Sequence, residues 1–265
     1  MWIGLFDSGL GGLAISQAVI ERLPPYDYLY LGDTKRVPYG ARSQETIHEY
    51  VSEALNFLFE QDCRLVILAC NTASAEALRK SQQEYLPRNY PERRVLGVVI
   101  PTAEAVFEGA YPATVGVLAT SSTVESGAYA REIGSRSSGV RVVQQPAPLL
   151  VPLVENNGLK YADAILDDYL EPFRIANVDS IVLGCTHYCL LKRQIRDRAA
   201  CRVISQDEVV PEKLADYLRR HPEMETHLTK RGRRRYVVTD LTASYAKQAN
   251  FLSGQEIELE RVTLR

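Results

Sequence analysis

Short aliphatic runs alternate with stretches of helical spacing along the whole chain, and two of those runs answer each other. Leu65 to Ser74 reads LVILACNTAS, and Ser180 to Leu191 reads SIVLGCTHYCLL. Each is a β-branched and aliphatic run closed by a small residue, a cysteine and small hydrogen-bonding residues. Asn71-Thr72 follows Cys70, and Thr186-His187 follows Cys185. An apolar run of this length, without alternation, suits a strand buried on both faces of a parallel sheet. The residue just past such a strand lies at the carboxyl edge, where open α/β sheets place their ligands. Both cysteines are therefore expected at ligand-binding edges, facing each other across one cleft.

The same reading extends in both directions. Met1 to Phe6 is an opening strand, Asp7-Ser8-Gly9-Leu10-Gly11-Gly12 a turn, and Leu13 to Leu23 a helix closed by Pro24-Pro25. Strand, Gly-rich turn and helix make half of a βαβ unit. Tyr28 to Leu31 is the second strand, and the polar loop Gly32 to Arg42 follows it. Ser43 caps a helix reaching about Gln61. Leu65 to Ala69 and a helix over Ala73 to Tyr85 close the first half, and Pro87 to Arg94 reads as the link between halves. Val95 to Ile100 starts the pattern again, and strands are expected at 114–118, 140–144, 180–184 and 203–205. A helix over Val209 to Arg220, a strand at Tyr236 to Thr239, and a final helix with a short tail strand complete the chain. The layout is that of a pseudo-duplicated α/β protein, each half delivering one strand–Cys–polar segment. From these residues alone, the segment after Val210 fits either half.

Composition narrows the class. The chain has 265 residues, 46% hydrophobic and 24% charged, with a formal net charge of −2. These values are ordinary for a soluble globular protein and give no general affinity for nucleic acid or anionic membranes. No apolar run approaches the ~18 residues of a membrane span, and the N-terminus lacks the pattern of a signal peptide. Five cysteines form an odd, sparse set, which favours free thiols in a reducing cytoplasm over a disulfide framework.

Cys70 and Cys185 are the candidate chemistry. Each is expected at a helix start, where exposed N–H groups favour a thiolate or an anionic ligand. Two thiols across a cleft can remove a proton from one face of a carbon and return one to the other. A single cysteine is more often a small buried hydrophobe, and Cys63, Cys189 and Cys201 are assigned to that role. Asp7 and His187 share the sheet edges with the thiols and are candidates for tuning them, and Ser8 follows Asp7 at the end of the first strand. On composition alone Glu155 reads as a surface helix residue. The turn DSGLGG lacks both GxGxxG spacing and the Lys-Ser/Thr of a phosphate loop, and no Cys/His cluster has zinc-site spacing. The run Lys230 to Arg235 reads as a solvated loop before a strand, with a nucleic-acid contact the minority explanation.

With these residues assembled, the chain resembles the glutamate racemase family within the aspartate/glutamate racemase superfamily. The matching stretches are IGLFDSGLGGL at Ile3 to Leu13, GDTKRVPYG at Gly32 to Gly40, ACNTASA at Ala69 to Ala75, IPT at Ile100 to Thr102, VPLVE at Val151 to Glu155 and LGCTHYCLL at Leu183 to Leu191. The resemblance implies interconversion of L- and D-glutamate without cofactor or metal, supplying D-glutamate for peptidoglycan. It makes Cys70 and Cys185 the two acid–base residues, with Asp7 beside Cys70, His187 beside Cys185 and Glu155 behind His187. It implies substrate contacts from Asp7, Ser8, Pro38, Tyr39, Gly40, Asn71, Thr72, Thr120, Thr123, Thr186 and His187. It also implies two similar doubly wound α/β domains related by pseudo-symmetry, with the active site in the cleft between them. The first spans 1–94 plus 210–265, and the second spans 95–209. Homodimers are common in that family. Ala147-Pro148 and Ala119-Thr120 stand where Cys-Pro and Gly-Thr are usual. Two other readings compete: a racemase, isomerase or decarboxylase for aspartate or another small acid, and a binding protein built on the same fold. The intact cysteine pair with His187 favours the racemase.

Overall fold

The computed structural model describes residues 1–109 and 111–264. It contains two sheets, and every strand pair in both is parallel. The strands are β1 Trp2–Asp7, β2 Tyr28–Gly32, β3 Cys63–Leu68, β4 Arg94–Gly97, β5 Thr114–Ala119, β6 Arg141–Pro146, β7 Ser180–Gly184, β8 Arg202–Ile204, β9 Arg234–Val238 and β10 Leu259–Arg261. The first sheet runs β10-β9-β2-β1-β3-β4 and the second β6-β5-β7-β8. Within each, the first four strands in chain order lie second, first, third, fourth. The duplication expected from the two cysteine segments is therefore present in the topology, with β9 and β10 added to one copy. No helix among the described residues is long and apolar enough to cross a membrane.

The central strands are buried along their length, as their unbroken apolar runs require. Helix α1 (Gly12–Arg22) follows β1, α2 (Gln44–Glu60) follows β2 and α3 (Asn71–Lys80) follows β3. Ser43 starts α2 as expected, its hydroxyl accepting from the Thr46 amide at 3.3 Å. Strand order reverses between β1 and β3 in the first sheet and between β5 and β7 in the second. Such switch points leave a crevice beyond the carboxyl ends of the strands. Asp7 ends β1 and Cys70 lies just past β3; Thr120 follows β5 and Cys185 follows β7.

Two expected boundaries move. The strand expected at Val95 to Ile100 as the start of the second half pairs with β3, Leu65 opposite Arg94 and Leu68 opposite Gly97. It therefore completes the first sheet, and a helix already begins at Val99. The chain crosses between sheets after Gly97, not in the link Pro87 to Arg94. The return helix spans Gln206–Arg220 and starts directly after β8, so position 210 falls inside it. That helix packs against α1 and against the helix Val99–Ala105, tying both halves together. The final segment then enters the first sheet through β9 beside β2.

The basic run Lys230 to Arg235 is spent on this return. Arg233 donates to the buried Asp27 carboxylate from Nε at 2.9 Å and Nη2 at 2.6 Å and lies over the Trp2 ring. Arg234 donates to the carbonyls of Tyr26 and Pro24, and Arg235 is bidentate on Glu260. Asp27 also accepts from the Thr229 hydroxyl and from the amides of Arg231 and Arg233. Burial alone would raise the Asp27 pKa, but these donors outweigh it and hold the carboxyl well below its ordinary range. A depressed carboxylate contributes stability above about pH 4 that is lost as the pH falls. Asp27→Asn is therefore expected to cost about 2–3 kcal/mol near neutrality, discounted for the half-exposed Arg233. In calorimetry this corresponds to a Tm lower by about 5–10 °C. The deficit should shrink in acid, where the wild type loses the same contribution.

Candidate active site

Cys70 ends the loop after β3 and caps α3. Its Sγ accepts from the Ala73 amide at 3.4 Å and donates to the Ser8 hydroxyl at 3.4 Å. Cys185 precedes a 3₁₀ segment, Thr186–Leu191, rather than an α-helix, and makes no such cap. Its Sγ lies 3.8 Å from His187 Nδ1 instead. The other ring nitrogen, Nε2, is 3.1 Å from Glu155 Oε1. Both sulfurs open into one cavity of about 620 Å³ between the two sheets.

The cavity wall includes Ser8, Pro38, Tyr39, Gly40, Asn71, Thr72, Thr120, Thr186, His187 and Glu155. Asp7 and Thr123, also expected at the substrate, lie behind that wall. Asp7 is wholly buried, accepting from the Gly9 amide at 3.1 Å and from the Thr186 hydroxyl at 3.5 Å. Thr123 contacts the Thr120 hydroxyl at 3.0 Å and that of Thr72 at 3.4 Å. Thr72 and Thr120 are 3.1 Å apart, so this trio of hydroxyls closes the cleft between one half and the other. The Tyr39 hydroxyl points away from the cavity and donates to buried Asp33 at 2.5 Å. Asp33 also accepts from Arg36 and from Thr239, which anchors the whole loop carrying Pro38 and Gly40. The Asn71 side chain is likewise engaged inside the protein, with Gln206 and Tyr129.

Burial dominates the electrostatics. It pushes the Cys70 thiol up to about 12, helped by the neighbouring Asp7 and opposed by the bonds from Ser8 and Ala73. Burial also raises the Asp7 carboxyl, against the pull of His187 and the amides of Gly12 and Gly9. For His187 burial works downward, but hydrogen bonds to Cys185 and Glu155 prevail and raise the imidazolium to about 10. At neutral pH the site thus sets a neutral thiol on the Cys70 wall and a cationic imidazole against the Cys185 sulfur.

The turn DSGLGG explains its composition here. Gly11 has an ordinary helical φ of −58°. What it provides is space, because a Cβ there would lie 2.6 Å from the His187 ring. A Cβ at Gly12 would lie 2.6 Å from that of Asp7. These glycines bring the start of α1 against the groups of both halves. Sequence reasoning missed them as site residues, together with Asp33, Tyr129 and Gln206. The only signal for the glycines was a Gly-rich turn without phosphate-loop spacing.

Two thiols, one from each half, at one hydroxyl-lined cavity, with a buried carboxyl group near one and a His–Glu pair beside the other, suit acid–base work on a small polar molecule. The chain belongs to the Asp/Glu/Hydantoin racemase family, whose profile matches residues 13–209. Relatives at 38–41% identity are glutamate racemases, and the chain is an amino-acid racemase, an isomerase. It is 41% identical to the glutamate racemase of Dinoroseobacter shibae over 84% of this chain and 86% of that protein. It is 38% identical to that of Geobacter metallireducens over 99% and 96%. The crystal structure of the Francisella tularensis glutamate racemase in complex with D-glutamate superposes with a TM-score of 0.88 at 30% identity, covering 99% of this chain and 97% of that one.

Because His187 is raised above its ordinary 6.5, its charged form stabilises the fold below that pH, and the contribution is lost as the pH rises through about 10. Glu155→Gln removes the carboxylate behind the ring. The imidazole titration followed by NMR is expected to move down by about 1–3 units, and the alkaline loss of stability to move down with it.

Proposed function

We propose that this racemase interconverts L- and D-glutamate without a cofactor, with Cys70 and Cys185 as acid and base on opposite faces of the α-carbon. The observation that carries the reading is the placement of the two thiols at the two switch points, across one cavity. One sulfur, as thiolate, takes the α-proton. The other, as thiol, delivers a proton to the opposite face, and the roles exchange in the reverse direction. Asp7 sets the charge beside Cys70. The His187–Glu155 pair presents a cation to the Cys185 sulfur.

A zwitterionic diacid needs donors around both carboxylates. Ser8, Thr72, Thr120 and Thr186 supply hydroxyls along the wall, and the start of α3 supplies backbone N–H groups. Donors aimed at the α-carboxylate would also stabilise charge as it develops on deprotonation. Glutamate is favoured as substrate because the Dinoroseobacter and Geobacter relatives are glutamate racemases and the Francisella enzyme holds D-glutamate. In this reading the product feeds peptidoglycan synthesis, and five free cysteines suit a reducing cytoplasm.

The test is proton exchange at the α-carbon of L- and D-glutamate in D₂O, without added cofactor. Wild type is expected to invert configuration with deuterium uptake, and Cys70→Ser and Cys185→Ser to lose inversion by at least about 10³-fold, the scale of removing an acid–base group. Inversion of aspartate but not glutamate would keep the thiols and change the substrate. Full activity in either mutant would sink the two-thiol mechanism.

A further inference from the structure

A two-base racemase works only if its bases sit at a fixed separation on either side of one carbon. Misplacing a reacting group by about 1 Å can cost 10²-fold in rate. The residues that set this separation need not touch the substrate, and one buried cluster joins the two thiol segments directly. Asn71 follows Cys70. Its Oδ1 accepts from the Tyr129 hydroxyl at 2.8 Å and from Gln206 Nε2 at 2.6 Å. Its Nδ2 donates to Gln206 Oε1 at 2.6 Å, and Gln206 Nε2 also donates to the Tyr129 hydroxyl at 2.9 Å. The three groups form a closed ring of hydrogen bonds, and Asn71, Tyr129 and Gln206 are all buried.

The other end of the cluster reaches the second thiol. The Tyr129 ring packs on Gly184, the residue before Cys185, so closely that a Cβ at Gly184 would lie 3.1 Å from it. Tyr129 therefore spans from the backbone beside one sulfur to the side chain beside the other. Gln206 opens the helix Gln206–Arg220, which also packs on α1. Three segments of the chain thus meet at one strut between the catalytic segments.

We propose that Tyr129 and Gln206 are positioning residues that, through Asn71, set the spacing between the Cys70 and Cys185 thiols. This inference rests on the two-thiol reading. With the strut intact, a proton taken from one face is replaced from the other. With the strut loosened, the distant thiol reprotonates the carbanion less often. The sulfur that took the proton exchanges its S–H with solvent and returns a deuteron to the same face, so the starting enantiomer is labelled without inversion.

The experiment compares wild type, Tyr129→Phe and Gln206→Leu in D₂O, measuring α-deuteration of the starting enantiomer against inversion, with kcat and KM. Tyr129→Phe keeps the ring on Gly184 and removes only the hydroxyl, so it remains informative if Gln206→Leu fails to fold. The expected result is a ratio of retention exchange to inversion raised at least about threefold, with kcat for inversion lower by about 10-fold or more and KM within about twofold. A simple loss of folded enzyme would lower both processes together and leave the ratio at the wild-type value, which would overturn the spacing role. Wild-type activity with an unchanged ratio in Tyr129→Phe therefore refutes this inference alone, whereas wild-type silence on both glutamate and aspartate overturns the two-thiol reading and this inference with it.

Discussion

The approach of the Gly11–Gly12 backbone to His187 and Asp7 holds the two sheets at the distance on which the site depends. A side chain at Gly11 would push the Thr186–His187 segment away, since its Cβ would fall 2.6 Å from the His187 ring, and one at Gly12 would fall 2.6 Å from the Asp7 Cβ. With the glycines in place, Asp7 from one sheet and Thr186 from the other come within hydrogen-bond reach. The cavity is lined by small hydroxyls from both halves. On the far side, the Thr72–Thr120 contact and the close fit of Gly40 against Thr120 perform the same service.

Burial of the groups around the cavity makes their charges expensive. Ionised groups taken out of water lose several kcal/mol each unless they are paired or hydrogen-bonded. The site answers by distributing charge asymmetrically. The Cys70 wall holds a thiol and an amide-bound carboxylate, while the Cys185 wall holds an imidazolium balanced by Glu155, which keeps partial contact with solvent. Two chemically identical side chains are thus prepared differently by what lies behind them. Local frustration of this kind is usual where a fold carries chemistry.

Much of the fold was legible because its strands are buried on both faces. A strand of that kind must be apolar without alternation, and Leu65 to Leu68 and Ser180 to Gly184 show it plainly. Strand β4 was readable as a strand but not as a member of the first sheet. Pairing partners lie tens of residues apart, and nothing local in RVLG distinguishes one sheet edge from another. The helix at Gln206 was read three residues late because Gln206 and Asp207 are polar. Their burial and ion pairing come from neighbours distant in the chain. Arg233 to Arg235 looked like a surface patch for the same reason, since the carboxylates and carbonyls that hold them lie elsewhere in the sequence.

The chemistry at the thiols divides in the same way. That Cys70 and Cys185 end strands at ligand-binding edges, with Thr and His beside them, followed from the sequence alone, because strand length and the polar residues after it are local properties. Only the tertiary structure decided that Tyr39 and Asn71 turn their polar atoms inward, that Asp7 and Thr123 stand behind the wall, and that Tyr129 and Gln206 join the two thiol segments. Those outcomes depend on which groups meet across the cleft, and burial then determines the charge each one carries.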